Sequence, residues 1–410
     1  MQLQDYPIPK PNTRWGLHDS ANKEANPPDI KAHAQALRDA GITWYKLLCR
    51  NDNKVNRAKE YIKVGIMPVI RLYVQGPHPD YVPNLDILKR YAAVGVKYVE
   101  FGNEPNIDGE WSRSASPEDR PKLVAEQWLR GAEIIKKAGM IPCHFAMTPG
   151  GNINHRIFTI AMVGHMVAVA GKGALDGSII ATHPRPLNHP PDLMPEYRSP
   201  QELGRPPMDT GLWEILWYHD HYKRATGHSL PVIATEAGYF VGSGDDHNYP
   251  AITKSLYTKY NKVTFQLCNP RARTHFPDWF IGQMYWLEAV GNDWKQDTLF
   301  ARWLPDGPMN PFAKWLLKNP ATWDSQVTGD DAPVPPSEET TAEDIRHAGW
   351  QALRIPYNPT AAFQSYARKH GLGFPVTGEF DVGDIRAQGY ANGIVYARIG
   401  QWNKVKTLRW

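Results

Sequence analysis

Cysteine is scarce in this 410-residue sequence: only Cys49, Cys143 and Cys268, far apart and without a CxxC pair. An odd, sparse set builds neither a disulfide framework nor a zinc site. Cys49 and Cys143 fall in predicted strands, where buried thiols are expected. An excess of one charge is also missing. The 46 Lys and Arg against 42 Asp and Glu leave a net charge of +4, and the basic residues are spread along the chain. That pattern argues for a solvated surface and against a nucleic-acid partner. No apolar run reaches membrane-spanning length, and the longest, near Ile157–Ala170, is interrupted by Gly164 and His165. The opening Met1-Gln-Leu-Gln-Asp-Tyr-Pro has no basic segment followed by an apolar one, so it is not a signal peptide. The first predicted strand is followed by Asp19-Ser-Ala-Asn-Lys with no GxGxxG. That removes the open dinucleotide-binding sheets, and no cofactor is implied.

What the chain does have is an ordinary globular mix, 42% hydrophobic and 21% charged, enough for one large core plus a small module. It is rich in aromatics, with 15 Trp and 19 Tyr. Flat apolar rings can stack on sugar faces, although many must be core. Short β-type runs alternate with amphipathic segments over the first 320 residues or so. The strands are expected at Arg14–His18, Ile42–Leu48, Met67–Val74, Tyr98–Asn103, Ile141–Met147, Ser178–His183, Pro231–Glu236 and Ile281–Leu287. Helices are expected between them, among others at Ile30–Ala40, Lys54–Val64, Leu85–Val94 and Pro121–Ala138. Gly41, Gly65, Gly95 and Gly139 follow those four helices and read as left-handed C-caps. Eight βα units in series predict an α/β fold, a (β/α)8 TIM barrel rather than an open sheet.

The segments Asn106–Asp119, Pro184–Thr210 and Glu288–Pro311 are long and follow strand C-termini, the face on which such barrels carry their sites. Near residue 327 the composition turns acidic and Pro-rich. The expected organisation is a barrel over 1–326, a linker over 327–339 and a small α+β module over 340–410. In the module, Thr340 and Glu343 have capping-box spacing before a helix through Leu353. Asn358-Pro opens a second helix through Lys369, and turns and short strands follow from Gly371.

Two acids stand where buried strands open into loops. Glu104 lies in Tyr98-Val-Glu-Phe-Gly-Asn-Glu-Pro105, and Glu236 in Pro231-Val-Ile-Ala-Thr-Glu-Ala-Gly238. They end predicted strands 4 and 7, whose C-termini meet on one rim of a closed barrel. Two carboxylates about 5 Å apart there could cleave a glycosidic bond with retention. Each could instead be a rim salt-bridge partner.

Asn103-Glu104-Pro105 ending strand 4 and the lone Glu236 ending strand 7 resemble the pattern of clan A of the retaining glycoside hydrolases, which are (β/α)8 enzymes. The resemblance implies that Glu104 is the acid/base and Glu236 the nucleophile. It implies a hydrogen bond from Asn103 to the 2-hydroxyl of the sugar beside the scissile bond. It also implies a strand-8 aromatic, Trp286, as the floor of that subsite, and a role near the nucleophile for His183, which ends strand 6. A buried His bonded to backbone is the other reading of His183. Arg71 is a charge inside an apolar strand and needs a carboxylate, either Glu236 or a structural acid. His18 and Asp19 end strand 1 and are candidates for lining the cleft. Glu288 is a candidate for binding a substrate hydroxyl or for the rim. Trp111, Tyr239, Trp294 and Trp303 lie in or near rim loops and are candidates for stacking on sugars or for packing the loops. By this reading Glu104 is raised by the nucleophile's charge and protonated in the free enzyme.

Gly371-Leu-Gly-Phe-Pro-Val-Thr-Gly-Glu-Phe, followed by Gln388-Gly-Tyr-Ala-Asn-Gly-Ile-Val-Tyr396, resembles the LGFP-type repeat of bacterial surface and wall proteins. It implies attachment to a cell wall or glycan, with simple packing as the alternative. The expected protein is a secreted or cell-surface monomer that cleaves an oligo- or polysaccharide and uses no metal. The competing readings are a glycan-binding barrel without turnover and a metal-dependent TIM enzyme. The latter lacks an HxH on strand 1 and a lysine ending strand 6.

Overall fold

The computed structural model describes residues 2–74, 76–78, 80–111, 115–197, 209–289, 298–327, 361–373 and 375–409. The chain divides into two compact units, Met1–Gly329 and Asp330–Trp410.

The first unit repeats one step eight times: a strand, then a helix. The strands are β1 Trp15–His18, β2 Trp44–Cys49, β3 Met67–Leu72, β4 Tyr98–Phe101, β5 Ile141–Pro142, β6 Ile180–Thr182, β7 Val232–Ala237 and β8 Phe280–Tyr285. After them, in the same order, come α1 Ile30–Asp39, α2 Val55–Lys63, α3 Leu85–Ala93, α4 Arg120–Lys137, α5 His155–Ala170, α6 Glu214–Thr226, α7 Lys254–Leu267 and α8 Pro311–Lys318. Local chemistry marks the helix ends. Asp29, Asn84, Asn154, Thr253 and Asn310 each accept a backbone N–H of the first turn. Gly41, Gly65, Gly95 and Gly139 all have positive φ, as their place after a helix requires.

All pairings in this sheet are parallel, in the order β5-β4-β3-β2-β1-β8-β7-β6. A parallel bridge between Cys143 and Ile179 then joins the two ends, with His144 N–H donating to Ile179 O at 2.8 Å and Ile179 N–H to Pro142 O at 3.1 Å. The (β/α)8 expectation holds, and so do all eight strands. β5 is shorter than expected: beyond Pro142 only Cys143 and His144 still bond to the neighbouring strands, and the ladder ends there. β4 stops at Phe101 because Gly102 (φ 74°) and Glu104 (φ 30°) turn the chain away.

The barrel interior is filled. Trp44 on β2 packs on Tyr98 of β4 (ring centroids 5.6 Å apart) and reaches β8, where a Cβ on Gly282 would sit 2.7 Å from its ring. β4 and β8 are not neighbours of β2 in the sheet, so that reach crosses the interior. Two residues further along the same strands, on the same face by the period of two, stand Lys46 and Glu100. The charged layer therefore lies directly after the aromatic one.

In the second unit, α9 (Ala362–Lys369) is followed by β9 Pro375–Val382, β10 Ile385–Tyr390, β11 Gly393–Arg398 and β12 Lys406–Leu408, antiparallel in the order β12-β11-β10-β9. Phe363, Ala367, Leu372, Tyr390, Val395 and Ala397 form its core. The expected linker from 328 onward and the Thr340–Leu353 helix lie outside the described residues.

Candidate active site

Glu236 is the hub of the charged layer. Its Oε1 lies 3.2 Å from Lys46 Nζ and 3.5 Å from Arg71 NH1, and its Oε2 accepts from Arg185 NH2 at 2.7 Å. Lys46 Nζ also lies 2.8 Å from Glu100 Oε2, so one ammonium from β2 ties β4 to β7. Glu104, just past β4, meets His183, just past β6, with Glu104 Oε1 and His183 Nδ1 2.8 Å apart. The other ring nitrogen of His183 is 3.1 Å from Thr235 Oγ1, whose hydroxyl donates to Glu100 Oε1 at 3.0 Å. Arg185 NH2 stands between the two glutamates, 3.5 Å from Glu104 Oε1. One side-chain atom from each of Glu104, His183 and Glu236 lies within 4.8 Å of the other two.

The backbone is strained where this happens. Glu104 holds φ 30°, a left-handed conformation that costs a non-glycine residue about 1–3 kcal/mol. Gly102, at φ 74°, could not carry a side chain at all, since a Cβ would fall 2.3 Å from the Phe145 ring. Such strain persists only where surrounding contacts fix the conformation, and here the Glu104–His183 pair does so.

Burial by itself would raise the Glu236 carboxyl, but His183, Lys46 and Arg185 more than offset it and hold Glu236 well below the usual carboxylate range. Glu100 is held at about 2: burial acts upward, and Lys46 with His183 overrides it. Glu104 is lowered too, because Arg185 and His183 outweigh both its burial and the charge of Glu236. This corrects the expectation of a protonated Glu104 in the free protein. The sequence reading counted the nucleophile's negative charge but not the two cations. His183 is raised: burial lowers it, and Glu236, Glu100 and Glu104 more than compensate. His18 is pushed down to about 3, first by burial and then by Lys46, and is neutral at ordinary pH.

Glu104, His183 and Glu236 form the one grouping among the described residues with the spacing to hold a metal ion. Their surroundings do not suit one. Three carboxylates, Glu100, Glu104 and Glu236, are already matched by Lys46, Arg71 and Arg185, and Arg185 occupies the space between two of the donors.

The other predicted residues divide. Arg71 takes Glu236 as its partner rather than a structural acid. His18 Nε2 is buried 3.7 Å from Glu236 Oε1, and its ring packs 4.4 Å from that of Trp286. Trp286 also lies 6.0 Å from the Arg185 guanidinium. Asn103 donates to Glu110 Oε1 at 2.7 Å, and its buried Oδ1 has no hydrogen-bond partner among the described residues. Asn103, Trp111, Arg71 and Tyr73 line a cavity of about 180 Å³ beside the pair.

Glu288 belongs elsewhere. It is fully buried, pairs with His33 at 2.7 Å, and accepts from the Tyr45 hydroxyl and the Leu304 N–H, so its carboxylate serves the scaffold and not a substrate. Asp19 is likewise enclosed, by Lys54 and Arg57. Trp303 packs on His33 and Arg57, and Tyr239 is core, with its hydroxyl on His189 O. Trp294 lies outside the described residues.

Lys46, Glu100, Thr235 and Arg185 escaped the sequence reading. Lys46 and Glu100 carry the signal that singled out Arg71, a charge inside an apolar strand, and were legible on the same ground. Arg185 had no such signal. It follows Pro184 in a loop, and only the fold carries it to the glutamates.

No family model matches this chain, and no curated protein sequence does either. Among solved structures it is similar to a family 39 glycoside hydrolase from Bacteroides cellulosilyticus WH2, at 14% identity and a TM-score of 0.45, over 95% of this chain and 71% of that one. It is also similar to a GH128 (subgroup II) endo-β-1,3-glucanase from Pseudomonas viridiflava, at 15% and 0.47, over 76% of this chain and 99% of that one. A third is the endo-β-1,4-mannanase of Thermotoga petrophila, at 13% and 0.42, over 82% and 80%. A D-psicose 3-epimerase from Clostridium cellulolyticum H10 matches as well, at 13% and 0.38, over 69% and 88%. Likeness at this level assigns neither a reaction nor a substrate.

Proposed function

We propose that the protein is a retaining glycoside hydrolase that cleaves β-glycosidic bonds of an oligo- or polysaccharide by double displacement. The observation that carries this is the approach of two glutamates from β4 and β7 to within 4.8 Å, one of them held firmly ionised. Retaining enzymes need carboxyl groups roughly 5–5.5 Å apart. Glu236 attacks the anomeric carbon as the bond to the leaving oxygen breaks and that oxygen takes a proton from Glu104. Water then displaces Glu236, giving its proton to Glu104. Asn103 Oδ1, without a partner among the described residues, can accept from a sugar hydroxyl.

The proton Glu104 needs is stored next to it. A protonated His183 shares a hydrogen with Glu104 across 2.8 Å. Substrate entering between the glutamates lifts Arg185 off Glu104, whose proton affinity then rises beside the Glu236 charge, and the hydrogen moves over. The rate should therefore fall at high pH as the His183–Glu104 pair loses that proton, and at low pH as Glu236 gains one.

A chromogenic and polysaccharide substrate panel tests the reading, with product stereochemistry followed by NMR. Glu236→Gln should abolish turnover, and Glu104→Gln should lower it by about 10²–10⁴-fold on poor leaving groups. Hydrolysis undiminished in Glu236→Gln, or an inverted product, would overturn it. His183→Asn should shift the alkaline limb of the kcat/KM profile, and a limb that stays put removes the proton store. The proposal extends to a secreted or cell-surface monomer whose C-terminal unit holds wall glycan. Loss of co-sedimentation with wall material on deleting that unit is the expected result.

A further inference from the structure

Beyond the matched charges of the catalytic layer, the cavity leads to two cations that have no carboxylate within ion-pair distance among the described residues. Arg71, in contact with Glu236, shares the wall of the 180 Å³ cavity with Tyr73. Tyr73 and Val74 also line a second cavity of about 280 Å³, together with Arg50, Tyr81 and Asp80, the last paired with Arg130 at 3.1 Å. Tyr73 is thus the divider between the two, and its side is open, with the residue 45% exposed. Lys23 Nζ lies 3.7 Å from the centre of its ring and the Arg50 guanidinium 5.8 Å.

Neither Lys23 nor Arg50 has a carboxylate within ion-pair distance among the described residues; Glu110 and Glu24 act on Lys23 only at longer range, and each also accepts from an amide. Glu110 takes the Asn103 amide at 2.7 Å, and Glu24 takes the Asn53 amide at 3.0 Å. The like charges also feel one another: burial first, then Arg50 and Arg71, lower the Lys23 ammonium from its ordinary value, and Glu110 and Glu24 only partly oppose them. Gathering two cations on one aromatic ring, with Arg71 on the same cavity wall and the local acids offsetting them only in part, works against folding. A ligand of opposite charge would offset the repulsion.

We infer that the sugar residues bound along Tyr73, next to the scissile bond, carry negative charge as carboxylate or sulfate groups, with Lys23 and Arg50 as their recognition residues. This rests on the hydrolase reading for the words "scissile bond" but not for the binding itself. Charge-assisted contacts supply the affinity, and Arg50 can take a carboxylate or sulfate through two N–H groups at once.

Binding is measured by calorimetry on the full chain with three probes: an oligomer of β-linked uronic acid residues, a sulfated gluco-oligosaccharide and an unmodified neutral gluco-oligosaccharide. At least one anionic probe should bind tenfold or more tightly than the neutral one, the advantage should shrink between 0.05 and 0.5 M salt (roughly one to several Debye lengths of screening), and the stronger of the two identifies the group. Lys23→Gln/Arg50→Gln should remove the advantage and, where a probe is cleaved, raise KM about tenfold with kcat unchanged. Equal binding of all three probes, or an advantage that survives the double substitution, overturns the inference. Turnover abolished in no Glu236 variant would instead overturn the hydrolase reading while leaving the binding result standing.

Discussion

Glu100 touches no substrate in the proposed reaction, yet it sets the electrostatics of the site through Lys46 and Thr235. Its carboxyl is held at about 2 in the folded chain against an ordinary 4.5, with burial acting upward and Lys46 the largest downward influence. A depressed folded value means that the contribution is complete above pH 4.5 and is lost as pH falls from there through about 2. The contribution is roughly 3 kcal/mol by linkage. Thermal unfolding of wild type and Glu100→Gln between pH 6 and 3 should show the variant less stable at pH 6 and shallower in its acid decline. Parallel declines would mean that Glu100 is not the group responsible. The same scale separates Glu236 from Glu288. Both are buried acids near a strand end, but one gathers Lys46, Arg71 and Arg185, and the other gathers His33, Tyr45 and a backbone N–H.

Among the elements, β1 and β8 depend on what is left out of them. Gly16 and Gly282 stand against Trp44, where an added Cβ would approach to 2.6 Å and 2.7 Å of Trp44 atoms. At Gly282 it is the indole itself that needs the room, to meet Tyr98 across the interior. Gly282→Ala should therefore destabilise by about 1–3 kcal/mol in chemical denaturation, as overpacking does, and should disturb Lys46 two residues further along. A neutral outcome would mean that Trp44 has somewhere else to go. The element ends were legible because caps and glycines are local: Asp29, Asn84 and Asn154 cap as their side chains dictate. The long β5 was misjudged for the same reason in reverse. Phe145, Ala146 and Met147 are as buried as a strand, but the ladder bonds to both neighbours end at His144.

For the molecule as a whole, the division near Gly329 separates two units with their own cores. A fragment of residues 1–329 should fold alone, with one cooperative unfolding transition and the catalytic constants of the full chain. A fragment that aggregates or loses cooperativity would show that the second unit is needed for the first. The barrel itself explains how a chain without cysteine bridges can hold three cations and three carboxylates out of water. Eight strands fix Lys46, Arg71, Glu100 and Glu236 around one axis, and the loops that leave β4 and β6 bring Glu104 and Arg185 to them.

The sequence by itself determined the eight βα steps, the helix ends and the addresses of Glu104 and Glu236, because strand period, caps and breakers act over a few residues. It also placed Arg71 in need of an acid. Only the tertiary structure decided which acid, brought Lys46, Glu100 and Arg185 into the same layer, and gave Glu288 to the scaffold. Those outcomes depend on which side chains face each other across a closed barrel, and no stretch of neighbouring residues carries that information. Protonation followed the same division: a carboxyl's neighbours in space, not in sequence, hold Glu104 down where the motif alone would have raised it.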